Sequence, residues 1–191
     1  MSDQNNGASQ GAAPEGAAQP GDTQTQGTKQ EAPIVIHGQY VKDLSFESPH
    51  APGILATVRQ SPKLDIQMHV NARPLQKEPS NRLFEVLLKI RATATHEERT
   101  AFVVELDYGA LVTLGSMIPE DRVEPVLLID VATMIFPFAR RTVADVTREG
   151  GFPPVLINPV DFVSLYRQRK AQQAQQQQAQ PSADSEPAGS A

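Results

Sequence analysis

The chain contains no cysteine, which excludes disulfides and thiolate metal sites. It has no excess of positive charge. The net charge is −5 over 191 residues, so the basic footprint of a nucleic-acid binder is missing. Long apolar runs are absent too. The most apolar stretch, "VEPVLLIDVATMIFPFA", is broken by Glu124, Pro125, Asp130 and Pro137 and cannot span a bilayer. The start, "MSDQNNGASQG", has neither the basic residues nor the apolar segment of a signal peptide. These absences point to a cytoplasmic protein with no nucleic-acid partner and no direct membrane insertion.

Catalytic signatures are equally scarce. The four histidines, His37, His50, His69 and His96, form no HxxxH or HExxH spacing. GxSxG, GxGxxG and a phosphate-cradling glycine loop are all missing. Asp65 and His69 share a strand face, but four residues along a strand separate them by about 13 Å. That is too far for a base and its orienting carboxylate. No enzyme activity, cofactor or metal is expected, although a site assembled from distant positions would leave no local trace.

Residues 1–33 and 170–191 consist largely of Gln, Gly, Ala, Pro and Ser. Neither segment has the apolar surface to offset the entropy of ordering its backbone, and both are expected to be disordered tails. The run Gln175 to Gln178 is a fair helix former, able to extend the preceding helix by a turn or two. Residues 34–169 are enough for one domain with a core. Their charge is nearly balanced, with 15 basic and 16 acidic residues, so any acidic surface is a local patch.

Within that domain, residues 34–47 read as a strand with a break near Gly38. Strict alternation puts Tyr40, Leu44 and Phe46 on a core side and Asp43 and Glu47 opposite. Residues 63–71 alternate cleanly, with Leu64, Ile66, Met68 and Val70 facing one way. Residues 82–95 and 100–114 continue the pattern, and the short "HEER" between them makes an antiparallel hairpin. On the last strand Phe102, Val104, Leu106 and Tyr108 face one side; Val103, Glu105 and Asp107 face the other.

From Glu120 the period becomes helical, with Val126, Ile129, Thr133 and Phe136 at helical spacing. Pro137 lacks a backbone donor and should kink or divide the helix, and Gly150 and Gly151 should end it. Apolar side chains lie on more than one face of this helix, as expected of an element buried on several sides. After an extended "FPPVLINP", Asn158 is the expected N-cap of a second helix, with Pro159 at its first position. The fold class is α+β: a four-stranded antiparallel sheet followed by two helices, the first kinked near Pro137.

Asp43, Glu47, Glu105 and Asp107 admit two readings from alternation alone. They are ordinary charges on a wet sheet face, or they form one negative platform for a basic partner.

The stretches "YVKDLSFESPHAP", "FEVLLKIRATA", "TAFVVELDYGALVTL" and "IFPFARRTVADVTREGGFPPVLINPVDFVSLY" occur in order and cover most of residues 40–166. In them the chain resembles the SecB family of bacterial protein-export chaperones. The resemblance implies an ATP-independent holding chaperone, a homotetramer built as a dimer of dimers. It would bind unfolded secretory precursors, keep them export-competent and deliver them to the SecA translocation ATPase. By motif it assigns SecA docking to Asp43, Glu47, Val103 and Glu105; Asp107 is our own extension. It also implies a client groove between the sheet and the C-terminal helix. Candidate lining residues there are Leu64, Ile66, Phe152, Phe162, Leu165 and Tyr166, although apolar residues at such spacings also serve as ordinary core. Two alternatives stay open: a small α+β ligand-binding domain or enzyme, and a toxin–antitoxin-associated chaperone of the same fold.

Overall fold

The computed structural model describes residues 32–57, 62–75 and 82–178. The expected N-terminal tail lies almost wholly outside the described residues, as does the end of the C-terminal one from residue 179. Strand β1 (Ile34–Glu47) is followed by a one-turn helix α1 (Gly53–Thr57), then β2 (Lys63–Pro74), β3 (Leu83–His96) and β4 (Arg99–Leu114). The strands form one antiparallel sheet in the order β1-β4-β3-β2. The sheet's edges are therefore β1 and β2, and the hairpin β3–β4 lies in the middle. That hairpin turns through Glu97 and Glu98, both with positive φ (47° and 63°). Such a tight turn demands left-handed residues even where no glycine is present.

The alternation expected for β3 and β4 produces a fully apolar inner face. Val86, Leu88, Ile90, Ala92, Phe102, Val104, Leu106 and Val112 are buried there. Helices cover that face. α2 (Glu120–Pro125) leads through a wide π-turn (Val126–Val131) into α3 (Ala132–Glu149), which packs on β3 and β4. The helix is not divided at Pro137, since α3 continues through that residue. Pro137 is on the exposed side of the helix, where water can take the carbonyl that its missing N–H leaves unbonded. The irregularity falls earlier, in the π-turn, and its extra residue re-phases the buried stripe. Leu127, Leu128, Val131, Ala132 and Ile135 face inward, whereas Thr133, expected on that stripe, is exposed.

α3 ends at Gly150, whose φ of −71° is ordinary; Gly151, at φ +85°, supplies the left-handed residue. Gly150 serves a different need. A Cβ there would sit 2.1 Å from Cζ of Phe46, whose ring stacks on Phe102 at 5.8 Å and lies 6.3 Å from Phe152. The following connector is anchored to α3 by Thr147. This fully buried hydroxyl donates to the Val143 carbonyl at 3.0 Å and accepts from the Val155 N–H at 3.0 Å.

α4 (Phe162–Gln178) starts three residues later than expected and runs past the boundary drawn at 169. Its first N–H groups are met by Asp161 rather than Asn158. The Asp161 carboxylate accepts from the Ser164 N–H at 3.0 Å and the Ser164 hydroxyl at 2.6 Å, holding the carboxyl below its usual range. Lys170, assigned above to the tail, bonds Glu124 of α2 at 2.7 Å.

Candidate functional site

No helix among the described residues covers the outer face of the sheet, and its side chains come from residues that alternate with the core. Register decides which of them meet. Residues directly opposite in an antiparallel ladder share a face. Asp43 is opposite Asp107, Ser45 opposite Glu105, and Glu47 opposite Val103. All four residues assigned to docking, Asp43, Glu47, Val103 and Glu105, therefore stand on one face of two adjacent strands, with Asp107 among them. Asp43, Glu47 and Glu105 are exposed.

Tyr40 is on this face as well, not on the core side. β1 shifts register between Val41 and Asp43, where Lys42 is an extra residue. One inserted residue reverses the alternation. Tyr40 is thus opposite Gly109 on the outer face, whereas Leu44 and Phe46 point inward opposite Leu106 and Val104. The Tyr40 ring lies flat over Gly109, where an added Cβ would come within 2.6 Å of it. Its hydroxyl donates to Glu85 Oε1 at 2.5 Å. Lys42 Nζ donates to the same oxygen at 2.8 Å, and Arg73 on β2 donates to Oε2. Glu85 is only 5% exposed. Its bonds from Lys42, Tyr40 and Arg73 hold its carboxyl down to about 2 despite burial. Burial and the Glu85 carboxylate push the Tyr40 hydroxyl up to about 12.

The face is not uniformly negative. β3 sets Lys89 opposite Asp107 and Arg91 opposite Glu105. Both are ion pairs, at 2.7 and 2.5 Å. The two carboxylates of β4 are thus each matched by a cation, while Asp43 and Glu47 on the β1 edge have no ion pair among the described residues. A shallow depression of about 260 Å³ lies over Asp43, Gln67, His69, Lys89, Arg91, Glu105 and Asp107. Reading each strand alone misses the basic column; the same alternation places Lys89 and Arg91 on the polar side of β3.

On the far edge, a larger groove of about 390 Å³ runs between β2, the π-turn and α4. Of the six expected groove residues, Phe162, Leu165 and Tyr166 line it, with Met68, Val70 and Leu128. Phe162 forms its floor; it is 3% exposed and edge-on to Phe136 at 5.7 Å. Arg169 donates to the Val70 carbonyl, tying α4 to the edge strand. Leu64 and Ile66 lie farther along the inner side of β2 and do not line the groove; Leu64 is exposed and Ile66 half-buried. Phe152 does not belong to it. It is 4% exposed and packs at 4.8 Å from Phe102, because the aromatic cluster under Phe46 takes it into the core.

Residues 27–173 match the family described as Preprotein translocase subunit SecB. The chain belongs to the SecB family. Among curated relatives, the protein-export protein SecB of Granulibacter bethesdensis is 46% identical over 160 residues, spanning 81% of this chain and 92% of its own. The SecB of Parvibaculum lavamentivorans is 45% identical over 173 residues, spanning 90% and 94%. A SecB-like chaperone of Mycobacterium tuberculosis, solved with a ChAD peptide from the HigA1 antitoxin, shares the fold. Its TM-score is 0.53 with 13% identity, covering 66% of this chain and 87% of that one. SecB membership makes this chain a protein-export chaperone, from a family of chaperones rather than enzymes. No helix among the described residues is long and apolar enough to cross a membrane.

Proposed function

We propose that this chain is an ATP-independent holding chaperone of the cytoplasm. It binds unfolded secretory precursors along apolar grooves and hands them to the SecA translocation ATPase through the outer sheet face. The observation that carries this reading is the separation of two chemically distinct surfaces on one sheet. Asp43, Glu47, Val103 and Glu105 converge on the uncovered side near the β1 edge. The groove of Met68, Val70, Phe162, Leu165 and Tyr166 opens beneath the β2 edge, at the other end of the sheet. Unfolded clients offer apolar segments in no fixed sequence. An apolar channel with few directional contacts suits them, and several weak channels in one particle give avidity with easy release.

The working particle is a homotetramer, a dimer of dimers. Met134 (46% exposed) and Phe138 (50% exposed) support this, because they stand one turn apart on α3, away from its own sheet. A neighbouring subunit would cover them. The specialised single-client alternative has a fold neighbour at 13% identity, against 46% to an export relative, and export is the better-supported role.

The test is a refolding assay. A denatured precursor is diluted into buffer with or without stoichiometric tetramer and no nucleotide. Slowed refolding is expected; an unchanged rate contradicts the reading. Light scattering of the same sample should give about four times the chain mass of 20.7 kDa. A particle of single-chain mass would remove the tetramer.

A further inference from the structure

The β1 strand carries a register mismatch next to Asp43, on the face proposed for docking. Residues 38–41 follow one register with β4 and residues from Asp43 follow another, a separate shift lying between Ile36 and Gly38. Phe46 pins the second segment through its stack with Phe102 and its approach to Gly150. The first segment has no such inward aromatic; Gln39 and Val41, its inward residues next to the bulge, are both exposed. Inward, the Tyr108 hydroxyl reaches Gln39 Oε1 at a long 3.4 Å; the short bonds are on the outer face, where Tyr40 and Lys42, the residues before and within the bulge, both bond Glu85 Oε1. Arg73 completes the cluster from β2. One carboxylate thereby links β3 to both edge strands, reaching across β4 through the opening left by Gly109.

We propose that Glu85 is a positioning residue for partner docking: by fixing Tyr40 and Lys42 it locks the bulge at Lys42 and so sets Asp43 on the outer face beside Asp107. The proposal rests on the docking role given above for that face. Without the cluster, the extra residue is free to move along β1, because a bulge is a single-residue insertion whose position only side chains specify. Asp43, the next residue, loses its place first. Glu47, beyond the Phe46 anchor, keeps its place.

The test is a pair of double-mutant cycles on the full-length tetramer, with SecA itself as the binding probe. Glu85→Leu leaves Lys42 and Arg73 with solvent access, since their side chains are 41% and 63% exposed, so the fold survives the change. It should weaken SecA binding about tenfold. Glu85→Gln keeps the shape and an acceptor for Tyr40, and should lose less. Asp43→Lys should weaken binding strongly in the wild type and hardly at all in the Glu85→Leu background. Glu47→Lys should have the same fold-effect in both. Hydrogen exchange provides a second reading: the amides of Val41 to Leu44 should lose protection in Glu85→Leu, and those of Phe46 and Glu47 should keep theirs. Equal effects of Asp43→Lys in the two backgrounds, or unchanged protection at residues 41–44, overturn the positioning role while leaving docking intact. If neither charge reversal affects the wild type, the docking reading fails and the positioning role falls with it.

Discussion

Acidification should dismantle the Glu85 cluster in a pH window set by its own chemistry. The Glu85 carboxyl is held at about 2, against 4.5 for a free side chain. An acid whose folded pKa is depressed contributes stability that is fully present above its unfolded pKa. That contribution is lost as pH falls through the folded one. The shift corresponds to about 3 kcal/mol at full strength. Lys42 and Arg73 are 41% and 63% exposed, and solvent screening reduces the contribution to about 1–2 kcal/mol. Glu85→Gln removes it at every pH. Urea denaturation at fixed protein concentration reads the difference. Wild type should exceed the variant by a constant margin from pH 7 to pH 5. The margin should then shrink steadily between about pH 4.5 and pH 2. A margin that stays flat down to pH 2.5, or no margin at pH 7, refutes the assignment of Glu85 as the charge that holds these strands.

Gly150→Ala should destabilise the fold by about 1–3 kcal/mol, because the new Cβ meets a Phe46 ring wedged between Phe102 and Phe152. Gly109→Ala meets only the far end of the Tyr40 side chain, which can swing aside at the loss of its bond to Glu85, and should cost about 1 kcal/mol; thermal melts of the two variants rank them. Thr147→Val leaves the Val155 N–H buried without an acceptor and should cost about 1–3 kcal/mol in the same assay. Arg91→Ala uncovers the Glu105 carboxylate and should tighten SecA binding at low salt, with the gain fading as salt rises; weaker binding would show that Arg91 itself touches the partner.

Most of the sheet was legible from period-two alternation. β2 and β3 keep their apolar set on one face throughout, β4 does so from Phe102 onward, and the inner face carries that set. Bulges defeat the same argument, because an inserted residue leaves no mark in an alternation count. Tyr40 was therefore expected in the core, whereas Lys42 as the extra residue turns it outward. β1 shifts again between Ile36 and Gly38, where its break is expected, and the β3–β4 hairpin carries a further case. Counting outward from its turn, with His96 opposite Arg99, puts Arg91 against Val104; the shift after Ala94 puts it against Glu105 instead. The basic column on the proposed docking face thus depends on a bulge as much as on composition. In the helices, Asn158 ahead of Pro159 is the expected cap, whereas the structure uses Asp161. The pair Asp161 and Ser164, three apart, was the better signal. Phe152 could not be told from a groove residue, because only the fold shows that Phe46 and Phe102 converge on it.

The most direct measurement compares two affinities of one variant, Asp43→Lys with Glu47→Lys, assembled as the full-length tetramer. SecA binding should fall by at least about tenfold, while the affinity for a denatured precursor stays at the wild-type value. A parallel loss of both affinities, or an unchanged affinity for SecA, would contradict two separate surfaces on this sheet.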